Sequence, residues 1–324
     1  MVDVYHSRSM DGAFLERLKG ELKDNFKGCK KIAIKMHFGE PGNNTAFTPK
    51  DVAPILEILE SLGMEYYLYD SSVNYGGERG SPETHKSYAS SKGFTHVETG
   101  DEYVDVKGKH FTYHVCKKLT DVDAVLVLTH VKGHECSGFG GAIKNLGMGA
   151  LTGQSKGDIH TGGKPVFDGD CTKCGTCVAG CPIHGMKLVD TEKYPVVMNC
   201  YGCSNCAYVC PFNVIKPKVA SFDILLSEGA NAAQSRFKKR YYISVIKNVT
   251  AHCDCYADAG GIIAKDSGIL MSPDGVAIDQ ATYDVVVKDS GDVFLKQNFK
   301  KGTEHILEAE KFGMGTRKYV LKEL

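Results

Sequence analysis

The sequence has no apolar run approaching the ~18 residues that a membrane span requires; its densest stretch, Ala124 to Leu128, has the length of a buried strand. It has no excess charge of either sign. The 39 basic and 39 acidic residues cancel, which removes any global electrostatic case for nucleic acid or an anionic membrane as partner. The opening Met1-Val2-Asp3-Val4-Tyr5-His6 shows no basic stretch followed by an apolar core, so the expectation is a cytoplasmic chain without a signal peptide. Low-complexity segments are absent too. Over 324 residues, 42 % hydrophobic and 24 % charged, the composition is that of an ordinary globular protein with room for two or three packed units. One residue type is in surplus. Thirteen cysteines without a secretory signal favour metal binding over disulfides.

Eight of these cysteines fall in two copies of one pattern, C-x2-C-x2-C-x3-C followed by proline. The first copy is Cys171, Cys174, Cys177, Cys181 and Pro182; the second is Cys200, Cys203, Cys206, Cys210 and Pro211. This is the spacing of bacterial-type ferredoxins that carry two 4Fe–4S clusters. Three thiolates on one tight loop reach three corners of a cubane, and the fourth Cys of each copy crosses to the other cluster. The expected ligand sets are therefore Cys171, Cys174, Cys177 and Cys210 for one cluster, and Cys200, Cys203, Cys206 and Cys181 for the other. A zinc ribbon would use four thiolates per metal without the trailing Cys-Pro.

Around this segment the patterning alternates between strand and helix. Leu15, Leu18 and Leu22 recur at helical spacing between Asp11, which can cap, and Gly28, which stops the helix. Residues 31–37 alternate as a strand, Thr48-Pro49 opens a second helix that ends at Gly63, residues 65–69 form a strand, and another helix follows Pro82. Residues 122–128 are apolar enough for a sheet covered on both faces. After the cysteines, residues 222–236 read as helix, 241–246 as strand, 260–264 and 268–271 as short strands, and 277–287 as helix. The predicted fold is α/β, a mostly parallel sheet with helices on both faces, interrupted by a small α+β ferredoxin-like two-cluster domain. The boundaries are 1–166, 167–218 and 219–324, the last either completing the first sheet or forming a second lobe.

Open α/β sheets place their chemistry at strand ends. The 122–128 strand runs into His130, Lys132 and His134, then into Gly138, Gly140, Gly141, Lys144 and Asn145. The glycine run would let backbone N–H groups approach a ligand, and a helix starting near Ala142 would aim its positive end at an anion, helped by Lys144. The stretch is neither a dinucleotide fingerprint nor a Walker A loop. His37 and Asp70 end other strands, Arg79 follows in a Gly-rich loop, and His160 is expected in a loop. His37, His130, His134, Lys144 and His160 are thus the candidate catalytic residues, with Gly138, Gly140, Gly141, Lys144, Asn145 and Arg79 as candidates for holding a cofactor or anionic small molecule. Cys253-Asp254-Cys255 places two thiols around a carboxylate, a pattern suited to a soft metal or to redox chemistry. The basic run Arg236 to Arg240 reads as a solvated helix end.

Several of these stretches carry a resemblance. Residues 35–40, 130–134, 138–149, 253–255 and 276–281 resemble the DUF362 family, iron–sulfur proteins of largely unassigned activity, over nearly the full chain. The resemblance implies a fold and cofactors but no reaction. A more distant likeness is to the nickel-pincer lactate racemases, which carry a His, a Gly-Gly run, a Lys ten residues after the His and a second His sixteen residues further on. His134, Gly140-Gly141, Lys144 and His160 fall at those separations; in the racemases the Lys tethers the organonickel cofactor and the later His binds nickel. Asn145 and the following Leu-Gly-Met-Gly depart from the racemase pattern, and racemases lack the cysteine segment.

Three functions follow as expectations. The first is an oxidoreductase that relays single electrons through two clusters to an anionic substrate or second cofactor, supplied by an external ferredoxin or flavoprotein. The second is an electron-transfer or accessory protein without its own substrate, and the third a racemase-like isomerase with a metal–organic cofactor. Over 250 residues outside the cysteine segment exceed what a carrier needs.

Overall fold

Strand Ala124–His130 buries every residue but its last, and a strand apolar on both sides belongs in the middle of a sheet. In the computed structural model, which describes residues 1–324, it does. The sheet has eight strands, in the order Tyr319–Glu323, Val2–Ser7, Gly268–Ser272, Arg240–Ile246, Ala124–His130, Lys31–Lys35, Glu65–Tyr69, Val97–Glu98. Only Gly268–Ser272 runs antiparallel to its two neighbours; the other pairings are parallel, with Ile32 opposite Ala124 and Leu128 opposite Ile243. The sheet stays open.

Alternation along each strand feeds two cores. Ala124, Leu126, Leu128, Ile32, Ile34 and Ile243 pack against helices Gly12–Asn25 and Pro49–Ser61. Val125, Val127, Tyr69, Tyr242 and Leu270 face helices Ala142–Gly149, Phe222–Gln234 and Gly275–Ser290 on the other side. The helix starts follow the capping signals. The Asp11 carboxylate accepts from Phe14 N–H at 3.2 Å, and Thr48 with Asp51 forms a capping box ahead of Pro49. Residues on both sides of the cysteine segment thus build one sheet, since Arg240–Ile246 lies directly beside Ala124–His130.

Two local expectations need correction. Residues 260–264 form no strand. Gly260 sits at φ +75°, which turns the chain, and only an isolated bridge joins Thr250 to Ile262. His160 lies in a helix, Gly153–Gly162, not a loop. Three glycines in ten residues hide that helix from propensity; packing of Ile159 in the core beside Phe222–Gln234 overrides it.

The cysteine segment leaves and rejoins the body at adjacent points, where Lys218 N–H donates to Lys164 O at 2.8 Å. Strand Pro165–Phe167 pairs antiparallel with Ile215–Pro217, and Met186–Lys187 with Val196–Val197. A one-turn helix follows in each half, Thr176–Ala179 and Asn205–Val209. The halves are backbone repeats. Left-handed φ at Lys173, Gly175 and His184 recurs at Gly202, Ser204 and Asn213, the same offset that separates Cys171 from Cys200.

Candidate functional site

Strands Lys31–Lys35, Glu65–Tyr69, Ala124–His130 and Arg240–Ile246 are adjacent and parallel, so their C-terminal ends share one edge. A cavity of about 650 Å³ opens there. His37, Asp70 and His130 reach it from three of those ends, Cys253 and Cys255 from the loop after the fourth. A two-stranded ribbon, Lys132–His134 paired with Gly138–Gly140, brings His134 and Gly140. Helices Ala142–Gly149 and Gly153–Gly162 add Lys144, Asn145, Lys156 and His160. The remaining wall comes from the cysteine segment, as Cys200 and Tyr201.

The floor of the cavity is a buried ion network. Asp70 Oδ1 lies 3.0 Å from Lys35 Nζ and its Oδ2 3.2 Å from Arg79 Nη2, with all three side chains about 2 % exposed or less. Lys35 Nζ also donates to Asn145 Oδ1 at 2.8 Å. Arg79 reaches Glu40 at 2.9 Å. Burial alone would raise the Asp70 carboxyl, but Lys35, His37 and Arg79 outweigh it and hold it well below the usual carboxylate range. Arg79 is therefore an internal counter-ion here, with Asp70 and Glu40 as its partners, and Asn145 braces Lys35.

The imidazoles differ in what they can do. Cys136 and Ser137 N–H groups both donate to His134 Nδ1 at 3.2 Å, which leaves the ring proton on Nε2. Burial pushes His134 down to about 3, so it is a neutral N–H donor. His160 has the opposite tautomer. Its Nδ1 donates to Tyr201 O at 2.6 Å, leaving Nε2 as a lone pair; burial lowers this imidazole while the Tyr201 carbonyl opposes. His37 Nδ1 accepts from Gly39 N–H at 2.9 Å, and its Nε2 lies 3.4 Å from Cys255 Sγ. His130 is a correction. One ring nitrogen bonds Asp254 Oδ2 at 2.9 Å and the other Lys247 O at 2.6 Å, so neither is free for a ligand; it braces Asp254.

Lys144 Nζ lies 3.9 Å from Cys255 Sγ. Burial works to lower this ammonium, but the nearby anionic groups, Cys255 and Glu135 among them, outweigh it and hold it charged. The neighbouring glycines do not form the expected anion cradle. Asp279, fully buried on helix Gly275–Ser290, already accepts from the N–H groups of Ala142 (2.6 Å) and Ile143 (2.8 Å). A Cβ on Gly141 would meet its carboxylate at 2.3 Å. The helix end is thus capped from within the protein. Gly138 lies off the cavity, packed against the backbone of Lys300 and Gly302; Gly140 and Gly141 line it.

Sequence reasoning passed over Lys35, Glu135 and Lys156 as site residues and noted Asp70 only as a strand end. Lys156 Nζ bonds Ser71 Oγ at 2.8 Å, and burial pushes it down to about 8. The signal lay in its position one helical turn before His160. Glu135 accepts from Tyr256 OH at 2.8 Å; burial opposes its ionisation but His134 and His252 bring it to about 2.

The cysteine runs have a consistent local geometry. Cys171, Cys174, Cys177 and Cys210 line one small cavity in the segment. Cys206 is buried within electrostatic reach of Cys203, Cys200, Cys177 and Cys181. Backbone N–H groups point at sulfur in both halves: Lys173 to Cys171 at 3.4 Å, Gly202 to Cys200 at 3.3 Å, Gly185 to Cys181 at 3.2 Å. Nowhere do three His, Cys, Asp or Glu side chains converge as ligands of a single ion.

A family model described as a domain of unknown function, DUF362, matches residues 32–284. The chain belongs to the DUF362 family. The matched span runs across the cavity wall named above and the cysteine segment. No curated protein matches the chain. Among solved structures it is similar to a Thermotoga maritima protein, at 9 % identity and a TM-score of 0.45 over 91 % of this chain and 60 % of that one. It is also similar to the lactate racemase apoprotein from Thermoanaerobacterium thermosaccharolyticum, at 10 % identity and a TM-score of 0.44 over 92 % and 57 %. The chain spans less than two thirds of the length of either.

The buried imidazoles make a prediction for this DUF362 protein. His85, His134 and His305 are each pushed down to about 3, chiefly by burial. Their folded pKa values lie below the unfolded one, so the unfolded chain binds more protons as pH falls from ~6.5 toward 3. Stability is full above ~6.5 and is lost below it, by about 2 kcal/mol per imidazole at pH 5. Glu135 adds to the loss once pH drops below its unfolded value of ~4.3. Urea midpoints between pH 7 and 4.5 should fall steadily; a flat profile would show these rings to be protonated in the native state.

Proposed function

We propose that the protein is an iron–sulfur oxidoreductase that delivers single electrons to a small anionic substrate or second cofactor in the strand-end cavity. Cys171, Cys174, Cys177 and Cys210 would hold one 4Fe–4S cluster and Cys200, Cys203, Cys206 and Cys181 the other. The observation that carries this reading is that Cys200 and Tyr201 line the same cavity as His134, Lys144 and Cys255. The donor set fits. Four sulfurs around a cavity, with N–H groups aimed at them, suit the corners of a cubane better than the single point a lone ion needs. When bound, such clusters supply electrons one at a time at a potential set by burial and hydrogen bonds.

The chain's own residues do the rest. Cys174 of the first set is exposed, whereas Cys181 and Cys206 of the second are buried and Cys203 packs on the main core, so the first set would meet an external ferredoxin or flavoprotein at Cys174 and the second would meet the cavity at Cys200. Lys144 supplies a fixed positive charge. His134 offers an Nε2–H and His160 an Nε2 lone pair, a donor and an acceptor for a proton accompanying the electron. The cavity volume and its charged lining favour this over a carrier without a substrate. A racemase-like isomerase remains the second reading, supported by His134, Lys144 and His160 sharing the cavity.

The test is a metal and sulfide inventory on protein purified without oxygen. The reading requires about eight iron and eight sulfide per chain, falling to about half in Cys206→Ser. Zinc without sulfide would overturn it, and stoichiometric nickel would favour the isomerase.

A further inference from the structure

Cys253 and Cys255 belong to neither cysteine run, yet both line the cavity. Cys253 is two residues from Cys255 in the same loop, and the two sulfurs are close enough that each shifts the other's ionisation. Two further donors face Cys255 Sγ. Gly39 N–H holds His37 Nδ1 as an acceptor, so the ring's proton is on Nε2, 3.4 Å from the sulfur. Lys144 Nζ lies on another side at 3.9 Å. A sulfur met by a thiol, an imidazole N–H and an ammonium is set up as a thiolate. Tyr75, Arg79, His134 and His160 share the cavity with it, and of these only Arg79 is a cation. The neighbouring Cys253 thiol lowers the Cys255 thiol; burial opposes, and Lys144 and His37 complete the lowering. The same arrangement raises Cys253, which keeps its proton. One thiolate with one thiol in reach, open to a small-molecule cavity, has the layout of a nucleophile and its resolving partner.

We infer that Cys255 is a nucleophilic thiolate and Cys253 its resolving thiol, a dithiol–disulfide couple that reduces a small anionic disulfide bound in the cavity. Cys255 attacks one sulfur of the substrate, R–S–S–R′. The Cys255–S–S–R bond forms, the substrate S–S bond breaks, and R′S⁻ leaves, taking the Cys253 proton to become R′SH. The Cys253 sulfur then attacks Cys255, forming the internal disulfide and expelling RS⁻. Two electrons and one proton restore the Cys253 thiol and the Cys255 thiolate. The reductant is a low-potential one-electron donor acting through the cysteine segment, and for that last step alone the inference rests on the redox reading above. Lys144, beside the reacting sulfur, and Lys164, exposed at the cavity rim, give the site its preference for an anionic substrate.

The test uses the anaerobically purified holoprotein. Limiting iodoacetamide at pH 6 should alkylate Cys255 about tenfold or more faster than Cys29 or Cys253 by peptide mass spectrometry, and Lys144→Met should slow that labelling about tenfold. Oxidised glutathione should convert the wild-type protein to the Cys253–Cys255 disulfide with release of two thiols. In Cys253→Ser it should leave one glutathione trapped on Cys255 and release one. Labelling of Cys255 no faster than Cys29, or one thiol released by both proteins, overturns the couple. A viologen reduced by dithionite should then restore the wild-type dithiol. Normal thiol exchange without that restoration would count against the redox reading and leave the couple standing; two intact clusters beside an inert Cys255 would do the reverse.

Discussion

Asp70→Asn is expected to destabilise the fold by about 3–5 kcal/mol, the cost of removing one partner from a buried ion pair. Asparagine keeps the shape and removes the charge. Lys35 would then hold only Met36 O (2.7 Å) and Asn145 Oδ1 (2.8 Å), with its side chain 1 % exposed. Arg79 keeps Glu40 at 2.9 Å, so Lys35 bears most of the damage. At roughly 1.5 °C per kcal/mol for a chain of this size, the melting temperature should drop by about 4–7 °C. Asp3→Asn is the control, because the Asp3–Lys322 pair is 43 % and 46 % exposed and should cost under ~1 kcal/mol. Parallel urea titrations followed by circular dichroism decide the matter. Equal, small losses in both variants would mean that the Asp70 network is hydrated.

Lys300→Met should have an effect of the same size, about 3–5 kcal/mol, with a different local consequence. Lys300 Nζ lies 2.7 Å from Asp223 Oδ2, whose side chain is fully buried, and donates to Cys203 O at 2.8 Å and to Cys136 O. One ammonium thus ties the second cysteine loop to the start of helix Phe222–Gln234 and to the stretch just past His134. Removing it leaves the Asp223 carboxylate in the core without a counter-ion, held only by the Tyr208 hydroxyl at 3.2 Å. Hydrogen exchange in residues 200–210 should rise before exchange in the sheet does. The double variant with Asp223→Leu should recover part of the lost stability, because a buried pair replaced on both sides often costs little. Uniform exchange throughout the chain would show that Lys300 supports the whole body instead of the docking of one segment.

That docking links fold to function. Ser204 Oγ donates to Gly163 O at 2.9 Å and accepts from Phe222 N–H at 3.0 Å, and His160 donates to Tyr201 O. The cysteine segment therefore sits against the cavity through backbone contacts that leave little room for movement. Gly163 and Gly202 approach so closely that a Cβ on Gly163 would lie 2.0 Å from Gly202 O, so neither tolerates a side chain.

Much of this was legible in the residues. The helix following Asp11, the proline-led helices at Pro49 and Pro82, and the apolar strand running through Leu128 each had a local signal, because capping and periodicity act over a few residues. The placement of His37, His134 and Lys144 near strand ends followed from the α/β pattern alone. The helix carrying His160 was hidden by its glycines. The engagement of His130 by Asp254 and Lys247 was hidden by distance along the chain, over 110 residues in each case.

By itself the sequence determined the alternation of strands and helices, the two cysteine loops and the residues eligible for a site, since each depends on spacing within one short stretch. Only the tertiary structure decided that residues 219–324 finish the same sheet, because strand pairing joins segments with no local signal for one another. It also decided the fate of the expected anion site. Asp279 lies more than 130 residues from Ala142 and Ile143, and a buried helix end takes whichever carboxylate the fold brings to it. The meeting of His37, Lys144 and Cys255 around one sulfur has the same origin: three segments, each unremarkable alone, end at one edge of a parallel sheet.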